Sequence, residues 1–407
     1  MNKLMIISLF GNINNINSRV YKIDKAFNWE TTFVTPNFDH SKKEFKKPIQ
    51  SQERRIHSVY IDVPAYSKNL SFKRIYSHLI FAKRLNHFLK TLRKSERPHI
   101  IISLIPTSTG AWFAGRFCKK HKIFFTIDVI DIWPDSLLPL VNNKLIIKLL
   151  LKPWKWITQC SYSLANFISA ESKAYSKIAS SFNSRVKSSY TYLGVNYHQV
   201  KEIISTSMFQ GFKRNNEIIL CYGGSLNNSY DFESLLEAVK YIHIQGLNYK
   251  MIFIGDGEKR IDIVNYSKAN NLNVEITGRV TYEDFLRYLS TCDIAFNPFV
   301  ESTKVVHSYK FNDYCAAGLF IFNNLRGETA ELIEKYDIGI NYTKNDLSEK
   351  LLQVTQNWGE FDVKRENIRF FIQCELDSDS IYQKLSDDII QEYRKFQLSN
   401  QFNETIF

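Results

Sequence analysis

Short apolar runs, each followed by an amphipathic stretch, recur along this chain, and that alternation narrows its folds more than any other feature. In the first half, "KLMIISLF", "HIIISLI" and "KIFFTIDVI" read as buried strands, and "TGAWFAGRFCKKH" reads as a helix. "SFKRIYSHLIFAKRLNHFLKTLRK" places Phe72, Ile75, Tyr76, Leu79, Leu85, Phe88, Leu89 and Leu92 on one helical face. Lys73, Arg74, Lys83, Arg84, Lys90, Arg93 and Lys94 fall on the other. The second half repeats the style. The strands "EIILCYGGS", "YKMIFIGDG", "NVEITGRV", "DIAFNPF" and "LFIFNN" alternate with helices that Asp231 and Thr281 begin and Gly246 and Gly318 end. Such a pattern predicts an α/β chain of parallel sheets covered by helices.

A chain of 407 residues with 44% hydrophobic content has material for two domains and their cores. No apolar run approaches the roughly 20 residues that span a bilayer. "MNKLMIISLFG" reads as a first buried strand rather than a secretion signal, because no small-residue cleavage site follows its short apolar run. The six cysteines are scattered without CxxC or metal spacing and read as reduced structural thiols. Charge is divided unevenly. Residues 1–200 carry +20 and residues 201–407 carry −8. Two domains with different partners follow, the basic one seeking something anionic: a phosphate-rich ligand, nucleic acid or a membrane surface. The least organised region, about 196–215, is the expected boundary.

In an open parallel sheet, ligands sit beyond the carboxyl ends of the strands. Gly223, Gly224 and Ser225 follow one such strand. Glycines there let backbone N–H groups approach a phosphate, or simply make a tight turn. "GDG" at 255–257 is another strand-end turn. In "HSYKFNDYCAAG", Lys310 and Asp313 lie three apart on one helical face. They form either a surface ion pair or a site in which lysine neutralises a diphosphate and the carboxylate accepts ribose hydroxyls. Asp128, Asp131 and Asp135 cluster near a strand end, where Asp131 or Asp135 could equally cap the next turn.

The ordered series "CYGGSLNNSYDFESLLEA", "IFIGDGEKR", "ITGRVTYEDFLRYLSTCDIAFNPF", "SYKFNDYCAAGLFIF" and "ELIEKYDIGI", over roughly 218–342, resembles retaining glycosyltransferases of family four. "IDVIDIWPDSL" is similar to an acidic Asp-x-Trp-Pro segment of enzymes that build capsule and O-antigen repeat units, and "YLGVN" to the family's domain junction. The resemblance implies the GT-B fold: two Rossmann-like doubly wound domains facing a cleft. Residues 1–197 would bind the acceptor and residues 198–375 the nucleotide sugar, while 376–407 form a helix packing back on the first domain. It places Gly224 and Ser225 at the donor diphosphate, Lys310 as a second phosphate contact, Asp313 at the ribose and Arg279 beside the base. Asp131 and Asp128 are the catalytic candidates. The chain departs from the family where Ser225 replaces an arginine, Tyr230 a lysine, and Val305 the first glutamate of a Glu-x7-Glu pair. Glu301 or His307 could stand in for that glutamate.

The expected reaction is transfer of a sugar from a UDP-linked donor to a lipid-diphosphate-linked saccharide, with retained anomeric configuration and without metal or cofactor. Asp128 and Asp131 form only an Asp-x-x-Asp spacing, a weak metal signal. The stretch 144–156, "KLIIKLLLKPWKW", mixes lysines with Leu149, Leu150, Trp154 and Trp156, the composition of a helix on an anionic surface or of a core helix with solvated lysines. Together these features imply a cytoplasmic protein held peripherally on the inner membrane face. A sugar-nucleotide epimerase and a non-catalytic nucleotide-binding subunit are the alternatives. No motif supports nucleic-acid binding.

Overall fold

The computed structural model describes residues 2–46, 55–68, 71–134, 149, 151–206, 217–303 and 308–405. The chain divides into two compact units, Met1–Leu193 with Asp379–Phe407, and Gly194–Ser378. The first unit holds a parallel six-stranded sheet of β1 (Lys3–Ile7), β2 (Glu30–Pro36), β5 (Ile56–Ile61), β6 (Ile100–Ile105), β7 (Phe124–Val129) and β8 (Phe167–Ala170). Two short strands, β3 (Phe38–Asp39) and β4 (Glu44–Phe45), form an antiparallel pair beside it. The sheet order is β5-β2-β1-β6-β7-β8. The second unit repeats it with β9 (Ile218–Gly223), β10 (Tyr249–Ile254), β11 (Val274–Ile276), β12 (Ile294–Asn297), β13 (Phe320–Asn323) and β14 (Gly339–Asn341), ordered β11-β10-β9-β12-β13-β14. Counted along the chain, both orders read 3-2-1-4-5-6, the doubly wound arrangement expected from the alternation. The apolar runs become strands because both sheet faces are covered: β6, β7 and β9 are buried at every residue.

Two helix readings change. α1 (Arg19–Phe27) and α3 (Ser108–His121) present buried faces to the first sheet, but α2 (Phe72–Thr91) does so only over its second half. Phe81, Ala82, Leu85 and Leu89 are buried, whereas Phe72, Ile75, Tyr76 and Leu79 are exposed. Arg74, assigned by spacing to the solvent face, is buried. The region 196–205, expected to be disorganised, contains a helix, Tyr197–Ser205, capped by Asn196. Residues 207–216 lie outside the described residues.

The unit boundary falls where the chain crosses twice. Val195 and Asp377 form a parallel bridge, and the Ser378 N–H donates to the Val195 carbonyl at 2.9 Å. Beyond it, the helix Ser378–Thr405 returns to the first unit. Tyr382, Leu385, Ile389 and Tyr393 pack with Leu4, Ile6, Ile102 and Phe124. No described helix is long and apolar enough to cross a membrane.

One buried ion pair ties this unit together. Arg19 forks onto Asp128, with Nε to Oδ2 at 2.6 Å and Nη2 to Oδ1 at 2.7 Å. Its remaining nitrogen donates to the Thr191 carbonyl at 2.6 Å and to Tyr382 Oη at 3.1 Å. Burial opposes charge on Arg19, but the Asp128 carboxylate outweighs it and holds the guanidinium protonated. Removing one partner of a buried pair leaves the other charge unmatched, at a cost of roughly 3–5 kcal/mol. Arg19→Ala should therefore destabilise the first unit by about that amount. Five of the six tryptophans lie in this unit, so urea unfolding followed by tryptophan fluorescence reads it directly. An unchanged midpoint would show that the pair is dispensable.

Candidate active site

In the second sheet the winding reverses between β9 and β12, and the crevice a ligand would use lies there. At the end of β9, Gly223 has no room for a side chain, because an added Cβ would stand 2.4 Å from Phe285. Gly224 has φ +132°, and a Cβ on Gly255 would fall 2.0 Å from the Gly224 carbonyl oxygen. The turns after β9 and β10 thus meet backbone to backbone.

The helix Tyr309–Ala316 is pinned to this edge by Tyr314. The Gly223 N–H donates to Tyr314 Oη at 2.8 Å, and that hydroxyl donates to the Gly223 carbonyl at 3.1 Å. One helical turn earlier, the Lys310 ammonium is carried over Gly224: a Cβ there would lie 3.2 Å from Nζ. The structure brings Lys310 to the glycine turn, and Asp313 lies one turn further along the same helix.

Tyr230 stands where the sequence comparison expected a second lysine, and its ring is part of the site. Lys310 Nζ lies 3.7 Å from the Tyr230 ring centre and 4.3 Å from that of Tyr222, and donates to Tyr222 Oη at 2.9 Å. Tyr222 Oη in turn donates to the Ser225 carbonyl at 2.9 Å. Among the described residues no carboxylate lies within ion-pair distance of Lys310. The ammonium is held by aromatic faces and one hydroxyl. Burial lowers its pKa to about 7. An entering anion would supply the missing counter-charge.

Asp313 accepts from Tyr282 Oη at 2.8 Å. Tyr282 opens the helix Tyr282–Ser290, which Thr281 caps. Burial, then the Asp313 charge, pushes the Tyr282 phenol pKa up, so it remains a donor to the carboxylate. Ser225 is exposed in the turn after β9, and Arg279 is exposed in the loop after β11. Glu301 is also exposed and lines a cavity of about 430 Å³ with Phe299, Asn323, Asn341 and Thr343. His307 lies outside the described residues, as do Val305 and Asp135.

The first unit separates its two acidic candidates. Asp128 has no exposed surface, being taken up by Arg19 and by Ser169 Oγ at 2.5 Å. Its place is in the core, as the anchor described above, and not beside a substrate. Asp131 emerges past the end of β7. Its carboxylate accepts from the Ile132 N–H at 2.8 Å and from Trp133 Nε1 at 2.7 Å. Arg74 lies 4.4 Å above the Trp133 ring, and its charge interacts with Asp131. His78 stacks on the Trp133 ring, with centroids 5.9 Å apart. His40 shares a hydrogen bond with Tyr66 Oη at 2.8 Å. Burial, then the Arg74 charge, lowers His78 to about 3 and His40 to about 4, so both are neutral at pH 7. Sequence reasoning missed Arg74, His78, His40 and Tyr66, which no local motif connects.

Lys310→Ala should weaken nucleoside diphosphate binding by roughly 1.5–3 kcal/mol and nucleoside binding far less. The charged ammonium is present below pH about 7 and lost above it. UDP affinity in the parent protein should thus fall as pH rises from 7 to 9, and Lys310→Ala should flatten that fall. Calorimetry across this range checks both. A parent profile as flat as the variant's would remove Lys310 from the phosphate site.

Comparison with known proteins follows the same division. Residues 204–368 match the family model described as "Glycosyl transferases group 1". No curated protein sequence matches the chain. Solved structures do, at low identity. Sucrose-phosphate synthase from Thermosynechococcus elongatus is 12% identical over 98% of this chain and 100% of that one, with a TM-score of 0.69. HepE from Anabaena in complex with UDP is 12% identical over 96% and 100%, with a TM-score of 0.65. WaaG, a glycosyltransferase involved in lipopolysaccharide biosynthesis, is 12% identical over 95% and 99%, with a TM-score of 0.56. The chain has the GT-B fold, and residues 204–368, within its second unit, are similar to group 1 glycosyl transferases.

Proposed function

We propose that this glycosyltransferase transfers a sugar, with retention, from a UDP-linked donor to a lipid-diphosphate-linked saccharide in assembly of a capsule or O-antigen polysaccharide. The observation that carries the donor half is the Lys310 ammonium, desolvated among aromatic rings over Gly224 and unmatched by a carboxylate among the described residues. It sits inside the segment that matches group 1 glycosyltransferases. HepE, similar in fold, has been solved with UDP and with UDP-glucose, which favours a uridine donor here.

The chemistry asks little of metals. As the bond from the sugar C1 to the diphosphate oxygen breaks, negative charge gathers on the leaving diphosphate. Lys310 and the N–H groups of the glycine turn would receive it, fixed in place beforehand. Asp313 would accept the ribose hydroxyls, and Arg279 would lie beside the base. The acceptor hydroxyl forms the new bond to C1 and passes its proton to the departing diphosphate oxygen, while Asp131, held by the Trp133 indole, orients that hydroxyl. Ser225 contributes its backbone near the phosphate, and Glu301 or His307 reaches the donor sugar. The excess of positive charge in residues 1–200 suits peripheral attachment to an anionic inner-membrane surface.

The test is incubation with a panel of UDP-sugars and lipid-diphosphate saccharides, products being read by mass and anomeric configuration by NMR. EDTA should leave the rate unchanged. Asp131→Asn should lower turnover sharply with donor affinity nearly unchanged; a parallel loss of UDP binding would make Asp131 structural. UDP bound but no sugar ever transferred would return the non-catalytic reading. Co-sedimentation with anionic vesicles should be strong at low salt and lost at high salt. Equal partitioning to neutral vesicles would count against the surface.

A further inference from the structure

The first sheet reverses its winding between β1 and β6, and there the molecule is hollow. A cavity of about 720 Å³ lies between the first half of α2, the loop from β6 into α3, and the helix Lys152–Ser163. Its walls are carbon: Phe72, Ile75 and Leu79 from α2, Pro106 after β6, and Trp154 and Ile157 from the third helix. These include α2 residues that spacing placed on its apolar face. Phe72 is 90% exposed and Leu79 50% exposed, so the apolar face of α2 is left to solvent where it borders the cavity. Exposed apolar surface gathered into a concavity marks a binding site rather than chance exposure.

Two features say what fills it. The first is charge. Lys73 and Lys152, each next in sequence to a lining residue, are exposed, and residues 1–200 carry +20. The second is continuity. His78 lines this cavity and also stacks on Trp133, whose indole holds Asp131 and whose face carries Arg74. Both nitrogens of the His78 ring are buried and without a hydrogen-bond partner among the described residues. Among the described residues, His78 thus belongs both to the wall of the apolar cavity and to the polar cluster past β7. A ligand matching that sequence of surfaces has a hydrocarbon chain joined to an anionic, hydroxyl-bearing head.

We propose that this cavity takes the hydrocarbon chain of the acceptor lipid itself, with the acceptor's diphosphate beside Arg74 and Lys73 and its saccharide toward Asp131. This rests on the glycosyltransferase reading and deepens it: acceptor choice depends on the chain, one molecule at a time, and not only on attachment to a membrane.

The test uses the full chain in solution, without vesicles, and with saturating UDP so that the Lys310 site is occupied. Binding of dimethylallyl, geranyl and farnesyl diphosphate is measured by calorimetry. Affinity should rise with chain length, by about tenfold or more from the first to the last. Leu79→Glu and Ile75→Glu alter partly exposed positions, so thermal unfolding should be near the parent's. Each should erase the chain-length dependence while leaving UDP affinity intact. No rise with chain length in the parent, or the same rise in both variants, overturns the proposal. Vesicle binding lost in the variants, without any farnesyl diphosphate binding in the parent, would make the cavity a bilayer contact. A parent dimer dissolved by Leu79→Glu, again without farnesyl binding, would make it a self-association surface. Marked unfolding of both variants would mean that part of this chain fills the cavity. If the parent fails to bind UDP but keeps the chain-length dependence, the glycosyltransferase reading fails and the cavity's role stands.

Discussion

Parallel pairing of strands is the constraint from which the functional geometry follows. When every strand of a sheet runs one way, every turn that leaves a strand's carboxyl end lies on one edge. Where the winding reverses, two neighbouring turns part and leave a crevice. This chain builds that edge twice with the same strand order. At β9 and β12 the edge receives glycines, a lysine and an acid; at β1, β6 and β7 it receives arginine, histidines, an aspartate and an apolar hollow. The units differ in what each edge displays.

The lysine site shows how a reduced set of charges can serve. On the proposed reading, a second basic group would share the phosphate charge with Lys310 but would also repel it. Tyr230 and Tyr222 instead offer π faces, which attract the ammonium and exclude water from it. The result is a poorly solvated charge, which an anion would match. That inverts the usual surface lysine, whose charge is fully solvated and gains little from a partner. The pH range in which the site is charged then lies near neutrality, set by burial.

The two acidic candidates of the first unit teach a related lesson. Asp128 and Asp131 are three residues apart, yet one is sealed under Arg19 and the other stands past the strand end. A carboxylate inside a six-stranded parallel sheet has no water to solvate it, so it must be paired. Beyond the last ladder residue the chain turns outward and the constraint lifts. The same rule explains Arg74. Its helix carries it inward over Trp133, where burial lowers its pKa and Tyr66, then Asp131, oppose that shift, while its apolar neighbours remain outside.

The sequence by itself determined the class of fold. Alternating apolar runs and amphipathic stretches are local, and their periods follow from backbone geometry, so the order of strands and helices, the caps at Asp231 and Thr281, and the grouping of Lys310 and Asp313 were all legible. The glycines after β9 were legible as a turn, because conformational demand is written residue by residue. What only the tertiary structure decided was where each polar group ended up relative to groups distant in the chain. Arg19 meets Asp128 across 109 residues, and Lys310 meets Tyr222 across 88. Charge burial, pKa and the openness of the α2 face depend on those meetings. Helical periodicity assigns a residue to a face, but whether a neighbour covers that face is decided by helices elsewhere in the chain. For that reason Phe72 and Leu79 fall on the apolar face of a helix in the sequence and line a cavity in the fold.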